Sequence, residues 1–549
     1  MLILGKSGGL VQHRIVGSSL SLIYAILSRS DAYVQNRNNL RFAANAKSAM
    51  SSVPPVHSSG SAVAILERFR PLFAPRSIAV VGASANSVTA GNEFIRRQLE
   101  FGFSGNLYPI HPSADRIGEL PAFRSVADAP EPIDYAFVAV AANQVRDVIG
   151  SMAGRVRFAQ IISSGFGEIA GGDLRERALL AAARDNEVRL IGPNCLGTYS
   201  PSGRLTFTDR VGVDPGTLGI ISQSGGLAVD IVLRGKSRGL LFRGLVSIGN
   251  AIDLGAAELL EYYVADPATN VIGIYLETAR DGRRLFDVLR RTQAVKPVVI
   301  LKGGRTTQGH IAAASHTGAL AGDHRVWQAL AKQTGCLLVR TLDEFIDVLL
   351  AFQMLSPRLQ QPTSRLVLFG NGGGTSVLAA DCFAEAGLDI CAFAPDVQRS
   401  LADLNLPAGS SVANPVDMPA SALEKEDGQI AARVLNGIFA KGQPDAVVIH
   451  LNVSAILNRP RSDTLGNLIR TVKELQSGYP GRAHVALVLR SDGERAIEEK
   501  KQEYREQLLA AGIPVFDEMP QAANAFSALC RFEQFHDRRR ACLSNTSRP

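Results

Sequence analysis

The chain has 549 residues, 46% hydrophobic and 20% charged, an ordinary globular composition long enough for about three domains of roughly 150 residues. Its net charge of +7 does not point to nucleic acid: Lys6, Arg14, Arg29, Arg37, Arg41 and Lys47 against Asp31 place +5 in the first 49 residues, so the remaining 500 carry +2 and hold no basic cluster interleaved with aromatics. The six cysteines lie far apart, with no CxxC pair and no histidine at ligand spacing, which excludes a structural zinc site and reads as a reduced, cytoplasmic protein.

In chain order, residues 1–62 read as a leader. Its apolar stretch 15–27 is interrupted by Gly17, Ser18, Ser19 and Ser21 and is too short to span a bilayer, and Ser30-Asp31-Ala32 is a poor signal-cleavage site. The first 49 residues are expected to be disordered, with the functional chain starting at Met50. Fifty-one glycines against one tryptophan favour an α/β protein with many strand-to-helix turns. Three segments bear this out in pattern, each opening with an apolar run that stops at a glycine loop and continues at helical period.

The first segment, 63–199, opens with the strand Ser77–Val81 and runs into Val80-Val81-Gly82-Ala83-Ser84, with Gly91 before a helix at 92–101. Further strands are expected at 106–110, 135–140, 158–163 and 188–191. Such a turn suits a phosphate-bearing cofactor, because glycine lets the backbone approach and a helix N-terminus offers free amides; a purely structural turn reads the same way. The next strand ends Tyr108-Pro109-Ile110-His111-Pro112. An NAD site wants a carboxylate there, so a dehydrogenase is the poorer reading.

The second segment, 200–355, has strands expected at 218–221, 244–247, 271–276 and 297–301. The first leads into Ser222-Gln-Ser-Gly-Gly-Leu227, an amide-rich nest for an oxyanion around Ser224, Gly225 and Gly226. A serine hydrolase would need glycine two residues before Ser224, where Ser222 stands. Glu277 follows an apolar strand, where α/β sheets place functional groups, though a helix N-cap or a surface glutamate reads the same way. His310, His316 and His324 are spaced by six and eight, which does not make a metal cluster. His316 lies in Ala312-Ala-Ala-Ser-His-Thr-Gly-Ala-Leu-Ala-Gly322, a run of small residues without bulk to anchor a core. Imidazole accepts a phosphoryl group well when a carboxylate fixes its tautomer and amides surround the phosphate, and Glu277 and the nest supply a candidate for each part.

A linker at 356–364 leads to the third segment, 365–540, with strands expected at 365–369, 446–450, 485–489 and 514–516, and a disordered tail at 541–549. Its glycine loop, Phe369-Gly-Asn-Gly-Gly-Gly-Thr-Ser376, lacks the Gly-Lys-Ser/Thr ending of a P-loop.

The VVGAS turn, the Tyr-Pro-Ile-His-Pro strand end and Ile191-Gly-Pro-Asn-Cys-Leu-Gly197 resemble the CoA-binding domain of the succinyl-CoA synthetase superfamily, in its ADP-forming acyl-CoA synthetase branch. Ser222-Gln-Ser-Gly-Gly-Leu227, Ser247-Ile-Gly-Asn250 with Asp253, Tyr275-Leu-Glu277, Leu301-Lys-Gly-Gly304 and the His316 loop resemble the second domain of that branch, in the right order; the third glycine loop and Asn414-Pro-Val-Asp417 are similar to its third. The resemblance covers about residues 65–535. It implies a Rossmann-like CoA-binding domain followed by two flavodoxin-like parallel-sheet domains, with CoA held by Gly82, Ser84, Ala85, Pro109, His111 and Asn194. It implies phosphorylation of His316 supported by Glu277, with the phosphoryl group bound at Ser224, Gly225 and Gly226. The branch often has Lys after its Asn-Pro, where this chain has Ser113, with Arg116 nearby as a substitute. No ATP-grasp segment is found, so the resemblance implies a heterotetramer in which a beta subunit binds ATP or ADP with Mg2+ while this chain handles CoA and a carboxylic acid. The alternative is a CoA-binding regulatory protein that has lost turnover.

Overall fold

The structure is a computed structural model that describes residues 59–152, 154–292, 294–317, 323–458 and 463–546. The first sheet is built from β1 (Ser77–Val81), β2 (Asn106–Ile110), β5 (Ile133–Val138), β6 (Val156–Ile161) and β7 (Arg189–Ile191) in the order β2-β1-β5-β6-β7, all parallel. A small antiparallel ribbon of β3 (Arg116–Ile117) and β4 (Leu120–Pro121) hangs beyond β2.

The second sheet contains β8 (Gly197–Tyr199), β9 (Leu218–Ser222), β10 (Phe242–Ser247), β11 (Val271–Leu276), β12 (Val298–Lys302) and β13 (Leu337–Val339) in the order β13-β12-β11-β9-β10-β8. Only β8 is antiparallel, pairing Tyr199 with Leu245. Residues 197–199, which the sequence pattern assigns to the end of the first segment, thus form an edge of the second sheet. The third sheet, β14 (Leu366–Gly370), β15 (Val416–Asp417), β16 (Ala446–Asn452), β17 (His484–Arg490) and β18 (Val515–Phe516), runs β15-β14-β16-β17-β18 and is parallel throughout.

β1, β9, β11, β12 and β14 are buried at every position. That is why they read as continuous apolar runs: helices cover both faces of a parallel sheet. Each of the three sheets reverses its strand order at the opening strand of its segment, since β1 lies between β2 and β5, β9 between β10 and β11, and β14 between β15 and β16. A crevice opens at such a switch point, beyond the strand's carboxyl end. All three glycine loops stand there.

The segments share cores. Phe73, at the end of helix Ser59–Phe73, stacks on Tyr262 of the second segment with ring centroids 4.4 Å apart. Helix Leu342–Met354 packs along the final helix Met519–Thr546, with Phe352 against Phe532. Two expectations need correction. The leader does not extend to residue 62, because a helix starts at Ser59; the tail from 541 is not structureless as far as Thr546, because the final helix continues through it. The segment 356–364 is pinned by fully buried Glu533, whose carboxylate accepts the amides of Arg358 and Thr363, both at 2.7 Å.

Candidate functional site

At the first switch point the chain leaves β1 through Gly82, whose φ of +103° and lack of a side chain are both needed: a Cβ there would stand 2.3 Å from the carbonyl oxygen of Ala139. Asn92 holds the loop, its Oδ1 accepting the Ser84 amide at 2.9 Å and its Nδ2 donating to the Ser84 carbonyl at 2.9 Å. Thr89 caps the helix Ala90–Glu100 that follows. Ser84 and Ala85 therefore sit at the open end of β1 beside a helix N-terminus. On the neighbouring strand Pro109 pairs with Val80. His111, just past the strand, accepts the amides of Ser113 and Ala114 on Nδ1 at 3.2 and 2.8 Å. That is the turn-capping work an asparagine does, and it fixes the unprotonated nitrogen as Nδ1. Arg116 is engaged locally with Glu119. Arg124 follows Phe123, whose carbonyl accepts the His111 amide, and it pairs with Asp115.

The second switch point carries a cavity of about 230 Å³, lined among others by Asn194, Gln223, Gly225, Gly226, Asn250 and Arg280. Ser224 caps the helix Gly225–Ser237, accepting the Leu227 amide on Oγ at 3.3 Å. The amides of Gly225 and Gly226 open the helix and have no intrahelical partner. Leu196 packs over Gly225, where a Cβ would lie 3.0 Å from its Cγ, whereas a Cβ on Gly226 would meet nothing within 4 Å. Gln223 ties this loop to the next strand end: its Oε1 accepts the amides of Glu277 at 2.7 Å and Thr278 at 3.0 Å.

The first segment contributes the opposite wall. Asn194, at φ 58° after the cis Gly192–Pro193 bond, donates to Asn250 Oδ1 at 3.4 Å. Asn250 in turn donates to Glu168 at 2.7 Å and Glu176 at 2.8 Å, and Glu176 also receives Arg280 at 2.9 Å. Burial pushes the Glu168 carboxyl up, but hydrogen bonds from Asn250 and the local amides outweigh it and hold the group below the usual carboxylate range. Cys195 takes no part as a nucleophile, because burial pushes its thiol up to about 12.

Glu277 is 8% exposed and its Oε1 accepts the Tyr275 hydroxyl at 3.0 Å. Burial and the Glu277 charge raise the Tyr275 phenol far above its ordinary value, so it keeps its proton and donates. His316 falls in the last turn of helix Thr307–Thr317, and its side chain lies outside the described residues.

The described site thus unites Asn194, Ser224, Gly225 and Gly226 around one cavity, with Glu277 tied to it through Gln223. Gly82, Ser84, Ala85, Pro109 and His111 form a separate group at the first switch point. Sequence reasoning missed Asn250, Arg280, Glu168, Glu176 and Lys302. Ser247-Ile-Gly-Asn250 and Leu301-Lys-Gly-Gly304 were visible as motifs, but the carboxylate partners of Asn250 come from the first segment and the Glu277 carbonyl that Lys302 meets comes from the neighbouring strand end. Among the described residues, no group of three or more His, Cys, Asp or Glu is placed to hold a metal ion, and no helix is long and apolar enough to cross a membrane.

Comparison with known proteins agrees with this layout. The sequence models described as CoA binding domain and as succinyl-CoA ligase like flavodoxin domain match residues 76–201 and 215–352. The chain is 32% identical to the alpha subunit of ADP-forming acetate–CoA ligase II of Pyrococcus furiosus, over 83% of this chain and 96% of that one. It is 28% identical to the ADP-forming 4-hydroxybutyrate–CoA ligase of Nitrosopumilus maritimus over 85% of this chain and 64% of that protein. Among solved structures, the dinucleotide forming acetyl-coenzyme A synthetase 1 of Ca. Korarchaeum cryptofilum, in complex with phosphate and ADP, superposes with a TM-score of 0.75 at 29% identity over 85% of this chain and 97% of that one. With a CoA binding domain over the first sheet and this identity over nearly a whole relative, the chain belongs to the ADP-forming acyl-CoA ligases, a family of acid–thiol ligases, as a member of the alpha-subunit type.

Proposed function

We propose that this chain binds CoA at the first switch point and carries a phosphoryl group on His316, so that with a nucleotide-binding partner it interconverts a carboxylic acid, CoA and ATP with acyl-CoA, ADP and phosphate. The observation that carries the reading is the cavity at the second switch point. Two orphan helix-terminal amides, Asn194 from the CoA-type segment and the loop of Glu277 converge there. A helix N-terminus of this kind stabilises a phosphoryl group by its amides and partial charge.

In the ATP-consuming direction, a ring nitrogen of His316 attacks the γ-phosphorus and the β–γ bridging oxygen leaves with ADP. The acid's carboxylate oxygen then attacks the phosphohistidine phosphorus, freeing imidazole and giving acyl phosphate. The CoA thiol attacks its carbonyl, the thiol proton passes to phosphate, and phosphate leaves. Glu277 accepts the other ring N–H of His316 and fixes the tautomer, while Gly225, Gly226 and Ser224 hold the phosphoryl oxygens. CoA is held at Gly82, Ser84, Ala85, Pro109, His111 and Asn194. Arg124 supplies a cation near the place where Ser113 offers none, and its exposed pairing with Asp115 is cheap to exchange for a phosphate.

The partner is an ATP-grasp beta subunit that brings Mg2+ and ATP, in a cytoplasmic heterotetramer. In support, the chain spans 96% of a relative named an alpha subunit but 64% of a relative not named as a subunit. The test is intact-mass analysis after incubation of the chain and its partner with Mg-ATP. An acid-labile gain of about 80 Da is expected in the wild type and not in His316→Asn. No label in either protein, with CoA still bound, would overturn the reading in favour of a regulatory CoA-binding role.

A further inference from the structure

Resting on the phosphohistidine reading, we propose that Lys302 is a positioning residue that holds Glu277 in place for the imidazole of His316 and balances its charge. Lys302 ends β12 and is 2% exposed. Its ammonium donates to the carbonyl oxygens of Glu277, at 2.7 Å, and of Gly303. It also lies 5.8 Å from the ring centroid of Trp327, the only tryptophan in the chain. Burying an ammonium is strongly unfavourable unless polar groups surround it, and an apolar side chain would fill a strand end of a parallel sheet without that penalty. What the charge accomplishes is local. β11 and β12 are in register at Leu276 and Lys302, and the Gly303 amide returns to the Leu276 carbonyl at 2.9 Å. Glu277 is therefore the first residue to leave β11, and Lys302 latches its backbone as it does so.

The side chain of Glu277 is seated by the same motif. A Cβ on Gly303 would stand 2.8 Å from the Tyr275 hydroxyl oxygen and 3.2 Å from Glu277 Cγ, so the carboxylate arm lies across that glycine. The Tyr275 hydroxyl donates to one carboxylate oxygen. Burial pushes the Lys302 ammonium down from its ordinary value and Glu277 pulls it back, as expected of two opposite charges sharing a dry strand end. A carboxylate so placed is fixed in direction before the imidazole arrives, which is what tautomer selection requires.

The test is a double-mutant cycle in the complex with its partner, using Lys302→Met and Glu277→Gln singly and together, with acid-labile label on His316, KM for CoA and thermal midpoint as readouts. Lys302→Met is expected to slow labelling at least tenfold while KM for CoA changes less than twofold, and to add nothing further in the Glu277→Gln background. Gly303→Ala, which presses on the same carboxylate without touching the ammonium, is expected to slow labelling alike and serves if Lys302→Met does not fold. Wild-type labelling rates in these variants, or effects of Lys302→Met and Glu277→Gln that multiply, would overturn the role of Lys302. An unlabelled wild type would instead refute the phosphohistidine reading on which it rests.

Discussion

Gly91 and Gly226 look alike in sequence, each near the start of a helix after a glycine loop, yet their surroundings differ. A Cβ on Gly91 would stand 2.5 Å from the Ala83 amide nitrogen, so backbone meets backbone and neither can give way. A Cβ on Gly226 would enter open space beside the cavity. Gly91→Ala is therefore expected to cost about 1–3 kcal/mol through forced backbone shifts and to weaken CoA binding. Gly226→Ala should stay within about 0.5 kcal/mol of the wild type in stability and impair phosphoryl transfer alone. Urea denaturation with CoA titration separates the two; equal stability losses would mean the cavity is closed at Gly226. The same contrast bounds what the sequence discloses about single residues. Gly82 and Ser224 are legible because turn and cap chemistry is local. His111 conceals its job: the sequence shows only that no carboxylate stands at the strand tip, and the contact to the Ser113 and Ala114 amides reveals a turn cap. Arg280 gains its meaning from Glu176, 104 residues away.

At the scale of elements, the helix that offers its N-terminus to the cavity is clamped at its other end. Just past helix Gly225–Ser237, Arg238 donates to Asp347 at 3.0 Å and to Asp343 at 2.5 Å, both on helix Leu342–Met354. Asp347 is 1% exposed, and burial raises its carboxyl to about 7 although Arg238 works against that rise; Asp343 and Asp517 add to it. A carboxyl raised from about 3.9 in the unfolded chain binds more protons when folded across the window from about 4 to 7. Its contribution to stability thus falls as pH rises through that window. Arg238→Met removes the counter-charge and is expected to destabilise by about 3 kcal/mol or more near pH 8, as for a broken buried pair. The deficit should shrink toward pH 5, where Asp347 can stay neutral in both proteins. Denaturation midpoints at pH 5, 6.5 and 8 check this; a deficit independent of pH would assign the loss to packing of the arginine stem instead. Elements were legible where burial made the pattern continuous, as in β9 and β11. β13 and β15 were not: two or three residues carry no period to detect, and among such short edge strands only β7 and β18 stood out as apolar runs. The polar last turns of the final helix read as tail because their order comes from a helix already packed further up.

For the whole molecule, the division of labour is open to a directional test. The cavity at the second switch point is walled by the first and second segments of this one chain, whereas the proposed function assigns the nucleotide to a partner. On the proposed function, the route to phosphohistidine from the acyl-CoA side needs only the cavity: a phosphate oxygen would attack the thioester carbonyl, CoA would leave as the thiol, and the imidazole of His316 would take the phosphorus from the acyl phosphate as the carboxylate departs. The route from ATP needs the γ-phosphorus brought to the same histidine by a site that Phe369-Gly-Asn-Gly-Gly-Gly-Thr-Ser376, without the Gly-Lys-Ser/Thr ending, does not supply. The isolated chain is therefore expected to take acid-labile label from radioactive phosphate plus a short acyl-CoA, and none from γ-labelled Mg-ATP until the partner is added. Label from ATP without the partner would place a nucleotide site within this chain. Label from ATP with the partner but none from acyl-CoA and phosphate would mean that partner side chains complete the cavity, and the amides of Gly225 and Gly226 would then be half of a site closed only on assembly.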